Sequence, residues 1–521
     1  MLARNLTIIV LTAVGSVVCY QKAQWNRHAS TISEAITLIE RAYVEDVDSK
    51  RLFEDAMSGM VRGLDPYSSF IPPVDYQQFQ EGLSQEFGGI GVMVEVNVLT
   101  GRLQVVSPIP NSPADKAGVL AGDMILEIDG EDTTGLAIRD AVDRIHGVVG
   151  EPVKLKVLHL GANEGVELSI VRAEIKTDSV LGDARREDGT WNFELKEDPR
   201  LRLIRVTTFG ERTVDEFRHA LEDSQKEGKP LGGIIIDLRD NAGGLLTAAI
   251  GMCDMLLDKG TIVSTRGRGG VVTRKFEASP DLALDKSVPI VVLVNRFSAS
   301  ASEIVAACLQ DHGRATIVGQ RTWGKGTVQN VFPLEPGKGG LKLTTSSYWR
   351  PSNKNIHRKK DAPEEEDWGV RPDDGCEVAI PEEDLPILFR NRRLRDAYRR
   401  PATLTQQPAS PGEPSKSSDA PKPDGTSKPS EHPKSDGASK PGETTKPDEP
   451  AKPKESAKPE ESREPDATRS SDSTSKPDDP ADPGDGDDTT PDGPSNDRDP
   501  ARPIDDPQLR AAIKLLQAKL K

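Results

Sequence analysis

Pro289-Ile-Val-Val-Leu-Val-Asn-Arg-Phe-Ser-Ala-Ser-Ala-Ser-Glu303 passes from an apolar, β-branched run into a row of small hydroxyl residues. The run Pro289 to Val294 reads as a buried strand. Ser302 to Gln310 reads as a helix with Ile304, Cys308 and Leu309 on one side. A serine at such a strand-to-helix turn lies beside the free N–H groups of a helix N-terminus, which can stabilise an oxyanion. A second apolar strand, Ala315 to Val318, leads into Gly319-Gln-Arg-Thr-Trp-Gly-Lys-Gly-Thr-Val-Gln329. Here Lys325 sits between two glycines, and neither Asp nor Glu occurs between Gly319 and Gln329. A lysine buried without a carboxylate loses its proton readily, because desolvation disfavours the charged form. The neutral amine can then act as general base toward a serine. Each stretch also has a plain reading. A Ser-Ala-Ser-Ala-Ser string is ordinarily a small-residue helix entry. Gly319 to Lys325 nearly spells a phosphate-binding loop, but that loop needs Ser or Thr next and Gly326 stands there.

Working outward, Leu201-Arg-Leu-Ile-Arg-Val206 alternates like a half-exposed strand, and Thr213 can cap a helix running to Ser224. Gly232 to Leu238 is a buried-type strand, and Asn241-Ala-Gly-Gly244 turns into an apolar helix from Leu245 to Leu257. Strands separated by helical patterns imply crossover units in a mostly parallel α/β sheet, whose sites gather at strand carboxyl ends. Asp237 and Arg239 read as a structural ion pair. Upstream, Ile32, Ile36, Ile39 and Tyr43 recur at helical spacing, and a second helix runs from about Ser49 to Gly63. Consecutive amides at Gly89, Ile90 and Gly91 could form a nest around a terminal carboxylate.

The chain has 521 residues, a formal net charge of -16 and only 35% hydrophobic residues. The acidic balance argues against nucleic acid as a partner. Four cysteines without CxxC spacing and seven scattered histidines give no metal cluster, so neither metal nor cofactor is expected. The low apolar content points to a polar segment, found in residues 401–504, where Lys-Pro, Ser-Lys and acidic repeats leave too little surface to bury; disorder is expected there. Leu6-Thr-Ile-Ile-Val-Leu-Thr-Ala-Val-Gly-Ser-Val-Val-Cys-Tyr20 is uncharged, with Arg4 before it and Lys22 and Arg27 after it. It suits an N-terminal signal anchor or a cleaved signal peptide. Either places the body outside the cytoplasm, membrane-anchored and facing the periplasm or cell exterior, or secreted. At the other end, Asp506 and Pro507 open a helix with Leu509, Ile513, Leu516 and Leu520 in one stripe, expected to dock on the folded body.

In combination these segments resemble the carboxyl-terminal processing proteases, also called tail-specific proteases, over roughly residues 30–400. The resemblance rests on Ser298-Ala-Ser-Ala-Ser-Glu303, Gly324-Lys-Gly326, Asp237-Leu-Arg-Asp-Asn-Ala-Gly-Gly244, Gly63-Leu-Asp-Pro-Tyr-Ser68 and the PDZ-like segments Phe87-Gly-Gly-Ile-Gly91 and Asn111 to Gly130. It implies a multidomain α/β protein: a mostly parallel α/β protease core (ClpP/crotonase-like), a PDZ β-barrel-like domain and a small N-terminal helical region. The expected divisions are 1–28 signal, 29–84 helical region, 85–173 PDZ domain, 174–400 protease core, 401–504 linker and 505–521 terminal helix. It further implies Ser300 as nucleophile, Lys325 as its base and Gln329 as the group orienting the lysine. Ala301 with Gly243 or Gly244 would form the oxyanion hole, and Gly89, Ile90 and Gly91 would hold a substrate C-terminus. His146 stands where relatives often carry a basic residue, and Asn353 where they often carry glycine. The implied activity is serine endoproteolysis near the C-termini of proteins that expose apolar tails. The alternatives are a catalytically silent PDZ-containing peptide-binding scaffold and hydrolysis of a non-peptide amide. The sequence leaves a homo-oligomer open.

Overall fold

The computed structural model describes residues 12–13, 15–16, 27–225, 231–335, 337–399 and 506–521. The expectations for the apolar run at 6–20 and for the polar segment 401–504 fall almost wholly and wholly outside these residues. Among the described residues no helix is long and apolar enough to cross a membrane.

The N-terminal region pairs helices α1 (Arg27–Ala42) and α2 (Ser49–Arg62), the latter capped by Asp48. Strand β1 (Ser69–Ile71) and helix α3 (Pro73–Ser84) follow. The second domain begins with β2 (Glu86–Gly89) and continues through β3 (Val92–Val96), β4 (Leu103–Pro108) and β5 (Met124–Ile128). Helix α4 (Ile138–Ile145) precedes β6 (Pro152–Leu158), β7 (Val166–Val171) and β8 (Ala173–Lys176). The main sheet of this domain is open, in the order β3-β4-β5-β6-β7, and wraps a core of Leu103, Val105, Ile125, Ile128, Val153, Leu155 and Val157. Strand β2 pairs antiparallel with β8, making a two-stranded neck where the chain enters and leaves.

The catalytic-core candidate is built on β9 (Val180–Leu181), β10 (Leu201–Val206) and helix α5 (Thr213–Gln225). Strand β11 (Gly233–Asp237), helix α6 (Leu246–Asp254), and strands β12 (Thr261–Arg266) and β13 (Val272–Glu277) come next. The order closes with β14 (Ile290–Val294), α7 (Ala301–Asp311), β15 (Ala315–Gly319), β16 (Thr327–Pro333), β17 (Gly340–Trp349), α8 (Leu385–Asp396) and α9 (Pro507–Lys519). One sheet runs β9-β10-β11-β14-β15, with β10 through β15 parallel and β9 antiparallel at the edge. Alternate side chains point to opposite faces. Ile234, Ile236, Val292 and Val294 pack under α5, α6 and α7, while Ile235, Val291 and Leu293 pack under α9.

Two differences from the sequence reading have physical causes. The core is mixed: β1, β17, β12 and β13 form a second, antiparallel sheet in that order, with β16 added to β17. Strand β10 is not half-exposed; all six of its residues are buried. Its polar alternation is absorbed by ion pairing instead of water. The Arg205 guanidinium donates to the Gly182 carbonyl at 3.0 Å and to Asp396 at 2.6 Å, and burial pushes its pKa down to about 10.

Helix α9 lies on the back of the parallel sheet. Asp506 caps it by accepting from the amides of Gln508 and Leu509, and Arg239 bridges Asp506 to Asp237. Ala512 and Leu516 are fully buried. Replacing Leu516 by Ala removes a buried side chain and leaves a cavity. The expected cost is about 2–5 kcal/mol, read as a lower denaturant midpoint with an unchanged slope; an unchanged midpoint would mean that the helix contributes nothing to stability.

Candidate active site

Ser300 lies between β14 and α7 with φ 57° and ψ -112°. That left-handed backbone is costly for a residue with a side chain and persists only where its surroundings fix it. Here they do. The Ser300 amide donates to Glu303 Oε2 at 2.8 Å, Ala299 N donates to the Asn241 carbonyl, and the Ser302 hydroxyl donates to the same carbonyl at 2.8 Å. Glu303 is fully buried in the first turn of α7. It also accepts from the Thr322 hydroxyl at 2.6 Å, the Gly324 amide at 2.7 Å and the Lys325 amide at 2.8 Å. The amides of Ser300 and Lys325 thus meet on one carboxylate oxygen, so the two nitrogens lie no farther apart than twice 2.8 Å.

The side chains are arranged around this hub. Tyr348, buried on β17, has the Ser300 side chain as a neighbour that tempers its phenol, while burial pushes that phenol up to about 12. Lys325 Nζ stands 5.3 Å from the centre of the Tyr67 ring. Burial lowers the Lys325 pKa first, the nearby Lys342 ammonium lowers it further, and Glu303 opposes both. The absence of a carboxylate between Gly319 and Gln329 therefore did not leave the lysine without one, because Glu303 arrives from another element. Among the described residues no hydrogen bond joins Lys325 Nζ to Ser300 or to Gln329. The Gln329 amide nitrogen donates to Thr327 Oγ1 at 2.8 Å and Thr344 Oγ1 at 3.3 Å.

Gly243 and Gly244 follow β11, with φ 102° and 144°. A Cβ on Gly243 would stand 2.8 Å from Ser300 Cβ and 3.0 Å from the Ala301 amide nitrogen, so only glycine allows this approach. The Gly243 amide already donates to Asn241 Oδ1 at 2.8 Å. Among the described residues the amides of Gly244 and Ala301 have no acceptor.

Comparison with known proteins fits this geometry. Residues 200–374 match Peptidase family S41, residues 104–158 a PDZ domain, and residues 15–73 the activating protease CtpB N-terminal domain. A carboxy-terminal-processing protease of Bartonella bacilliformis is 40% identical over 347 residues, covering 66% of this chain and 74% of its own. This chain belongs to the carboxyl-terminal processing protease family. The carboxyl-terminal-processing protease of Synechocystis is 35% identical over 60% of this chain and 70% of its own. Bacillus subtilis CtpB is 34% identical over 63% of this chain and 65% of its own. Among solved structures, a photosystem II D1 C-terminal processing protease is 27% identical, covers 67% of this chain and 92% of its own, and superposes with a TM-score of 0.37.

In this processing protease the PDZ domain carries the second candidate site. Strand β3 is the free edge of its sheet, and Met93 and Val96 on it and Ile138 on α4 are exposed. The Ile90 and Gly91 amides have no acceptor among the described residues, whereas Gly89 lies in β2, opposite Ala173 of β8. His146 stacks on Phe87 with ring centres 4.4 Å apart, and burial lowers its pKa. The basic group of this corner is Arg172, whose guanidinium donates to the carbonyls of Arg144, Ile145 and Pro152 and so satisfies the end of α4.

Sequence reasoning missed Glu303, Tyr348 and Tyr67. The first had a signal: Ser300-Ala-Ser-Glu303 is the spacing of a helix capping box. The others come from strands and turns far away in sequence. Because Lys342 is a like charge near Lys325, Lys342→Met is expected to raise the Lys325 pKa toward the ordinary lysine value. NMR titration of the methyl-labelled amine reads the shift; an unmoved Lys325 would exclude the coupling.

Proposed function

We propose that this protein is a Ser–Lys dyad endopeptidase that captures substrate C-termini with its PDZ domain. Ser300 Oγ attacks the scissile carbonyl carbon while neutral Lys325 takes the hydroxyl proton. The tetrahedral oxyanion is stabilised by the amides of Ala301 and Gly244, at about 3–4 kcal/mol per donor. Of the two glycines considered, Gly244 is favoured because the Gly243 amide is committed to Asn241. Collapse expels the C-terminal fragment as an amine, which recovers the proton from Lys325. Water then hydrolyses the ester. The observation that carries this reading is the shared Glu303 oxygen, which holds the backbones of both residues together. From there, side-chain rotation about Ser300 and Lys325 is the movement the chemistry needs, bringing the hydroxyl and the amine together and taking the amine off the Tyr67 ring.

The substrate tail would place its carboxylate at the Ile90 and Gly91 amides, joined by Gly89, and add as a strand along β3. Such backbone pairing tolerates many sequences, with exposed Met93, Val96 and Ile138 favouring apolar tails. The apolar run at the N-terminus, flanked by Arg4, Lys22 and Arg27, supports export and membrane attachment outside the cytoplasm. The proposed divisions of the chain remain those drawn from the sequence, with the PDZ domain at 85–173 and the protease core at 174–400.

Ser300→Ala and Lys325→Ala are each expected to abolish cleavage of an unfolded protein with an apolar C-terminus, while circular dichroism and tail-peptide binding stay unchanged. Turnover retained by either variant would overturn the dyad, and a wild type that binds the tail but never cleaves would mark a silent scaffold.

A further inference from the structure

Asp65 and Ser68 belong to the turn that leads into β1, the strand that pairs with β17 in the register Ser69↔Lys342. Their side chains reach across the pairing. Asp65 Oδ1 accepts from the Thr344 hydroxyl at 3.0 Å, and the Ser68 hydroxyl accepts from the Thr344 amide at 3.0 Å while donating to Asp65 Oδ2 at 2.6 Å. The amides of Tyr67 and Ser68 also donate to Asp65 Oδ1, at 2.8 and 2.9 Å. Thr344 stands directly opposite Gln329 on β16, beside a bulge at Val328/Gln329.

Donor bookkeeping now fixes the amide of Gln329. An ionised carboxylate only accepts, so Thr344 must give its one proton to Asp65. Toward Gln329 the Thr344 oxygen can therefore only accept, and what it meets must be the amide NH2 and not the carbonyl. The second amide proton goes to Thr327 Oγ1. With both protons occupied at these two threonines, Gln329 Oε1 is left to face the other way. Among the described residues no donor reaches this acceptor, which suits one partner above others here, an ammonium.

We propose that Asp65 and Thr344 are positioning residues that lock the Gln329 amide with its carbonyl oxygen toward Lys325, so that the N-terminal region sets the orientation of the catalytic lysine. The inference rests on Lys325 being the base. It gives the Gly63-to-Ser68 turn a function that a packing subdomain would not need, and it couples the seating of β1 on β17 to the chemistry. The groups around the Lys325 amine are Lys342 on β17, Glu303 on α7 and the Tyr67 ring; His357 packs on Tyr67 with ring centres 6.3 Å apart.

The experiment compares Thr344→Val, Thr344→Ser and Asp65→Ala in the full chain, following kcat, KM and the pH profile on an unfolded substrate. Removing the Thr344 hydroxyl, or freeing its proton by removing Asp65, lets the Gln329 amide turn. Lys325 then loses an acceptor that favours its charged form. The expected result for Thr344→Val and Asp65→Ala is a kcat lower by on the order of tenfold to a hundredfold, KM unchanged, and an acid limb moved to lower pH. Thr344→Ser should restore both the rate and the limb. An acid limb that stays in place, or a Ser variant that fails to rescue, would overturn the proposal. If Asp65→Ala does not fold, Thr344→Val with its Ser rescue decides alone. Lys325→Ala, run alongside, separates the two levels: if it still cleaves, the dyad itself is wrong, whereas an inactive Lys325→Ala with a normal Thr344→Val disproves only the relay.

Discussion

A single buried carboxylate organises the site. Glu303 is fully buried, and burial alone raises its pKa, since the charged form has lost its solvent. Four donors replace that solvent: the amides of Ser300, Gly324 and Lys325 and the Thr322 hydroxyl. Hydrogen bonds to charged groups contribute about 1.5–3 kcal/mol each, and leaving such a group unsatisfied costs at least as much. The chain from Thr322 to Lys325 must therefore return to the first turn of α7. The same bond to Ser300 N helps hold the left-handed backbone that puts a hydroxyl at the head of the helix. Strain at residue 300 and closeness of residue 325 thus have one cause.

That cause explains which parts of the molecule could be read from the sequence. The strands at Ile290–Val294 and Ala315–Gly319 were legible because every residue in the first and most in the second are buried, giving short uncharged runs rich in β-branched residues. Helix α7 and the small-residue turn before it were legible for a related reason, since only small side chains fit beside Gly243. Strand β10 misled because Arg202 and Arg205 look like water-facing residues. Arg205 instead ends on Asp396 of α8, 191 residues on, a partner that no local pattern announces. Tyr348 and Thr344 were illegible in the same way: their roles depend on the pairing of β17 with β1 and β16. For the lysine, the local absence of acidic residues suggested full isolation. Its pKa is lowered, as burial requires, but a carboxylate from α7 tempers the shift.

The second sheet changes what the N-terminal region is. Strand β1 is a strand of the core, hydrogen-bonded to β17, with Phe70 and Ile71 buried at the seam. The turn before it contributes Tyr67 to the lysine pocket. The PDZ domain is joined through its two-stranded neck, through Ser107, which accepts from the Tyr398 amide at 2.9 Å, through ion pairs of Glu95 with Arg393 and Arg139 with Asp75, and through one buried side chain in the neck. Gln85, with φ 61°, accepts from the Arg212 amide at 3.1 Å and donates to the Thr177 carbonyl at 3.2 Å. Thr177 N in turn donates to the Gln85 carbonyl at 3.0 Å. Entry and exit of the PDZ domain are thereby pinned together at the start of α5, whose Thr213 also accepts from the Gly210 amide.

These connections divide the labour between rigid and yielding parts. The backbones of Ser300 and Lys325 are fixed by buried hydrogen bonds that do not involve the PDZ domain. What remains free to respond lies at the side-chain level: the Ser300 hydroxyl, and the Lys325 amine over Tyr67. A ligand at the PDZ domain could act on them only through a contiguous element with two arrangements. Phe209 offers one such route. Its amide donates to the Gly243 carbonyl and its carbonyl accepts from Leu245, one residue from the Gly210 and Arg212 segment that Gln85 touches. A shift of the neck would therefore be felt first at the Gly243–Gly244 turn, before it could reach the serine itself.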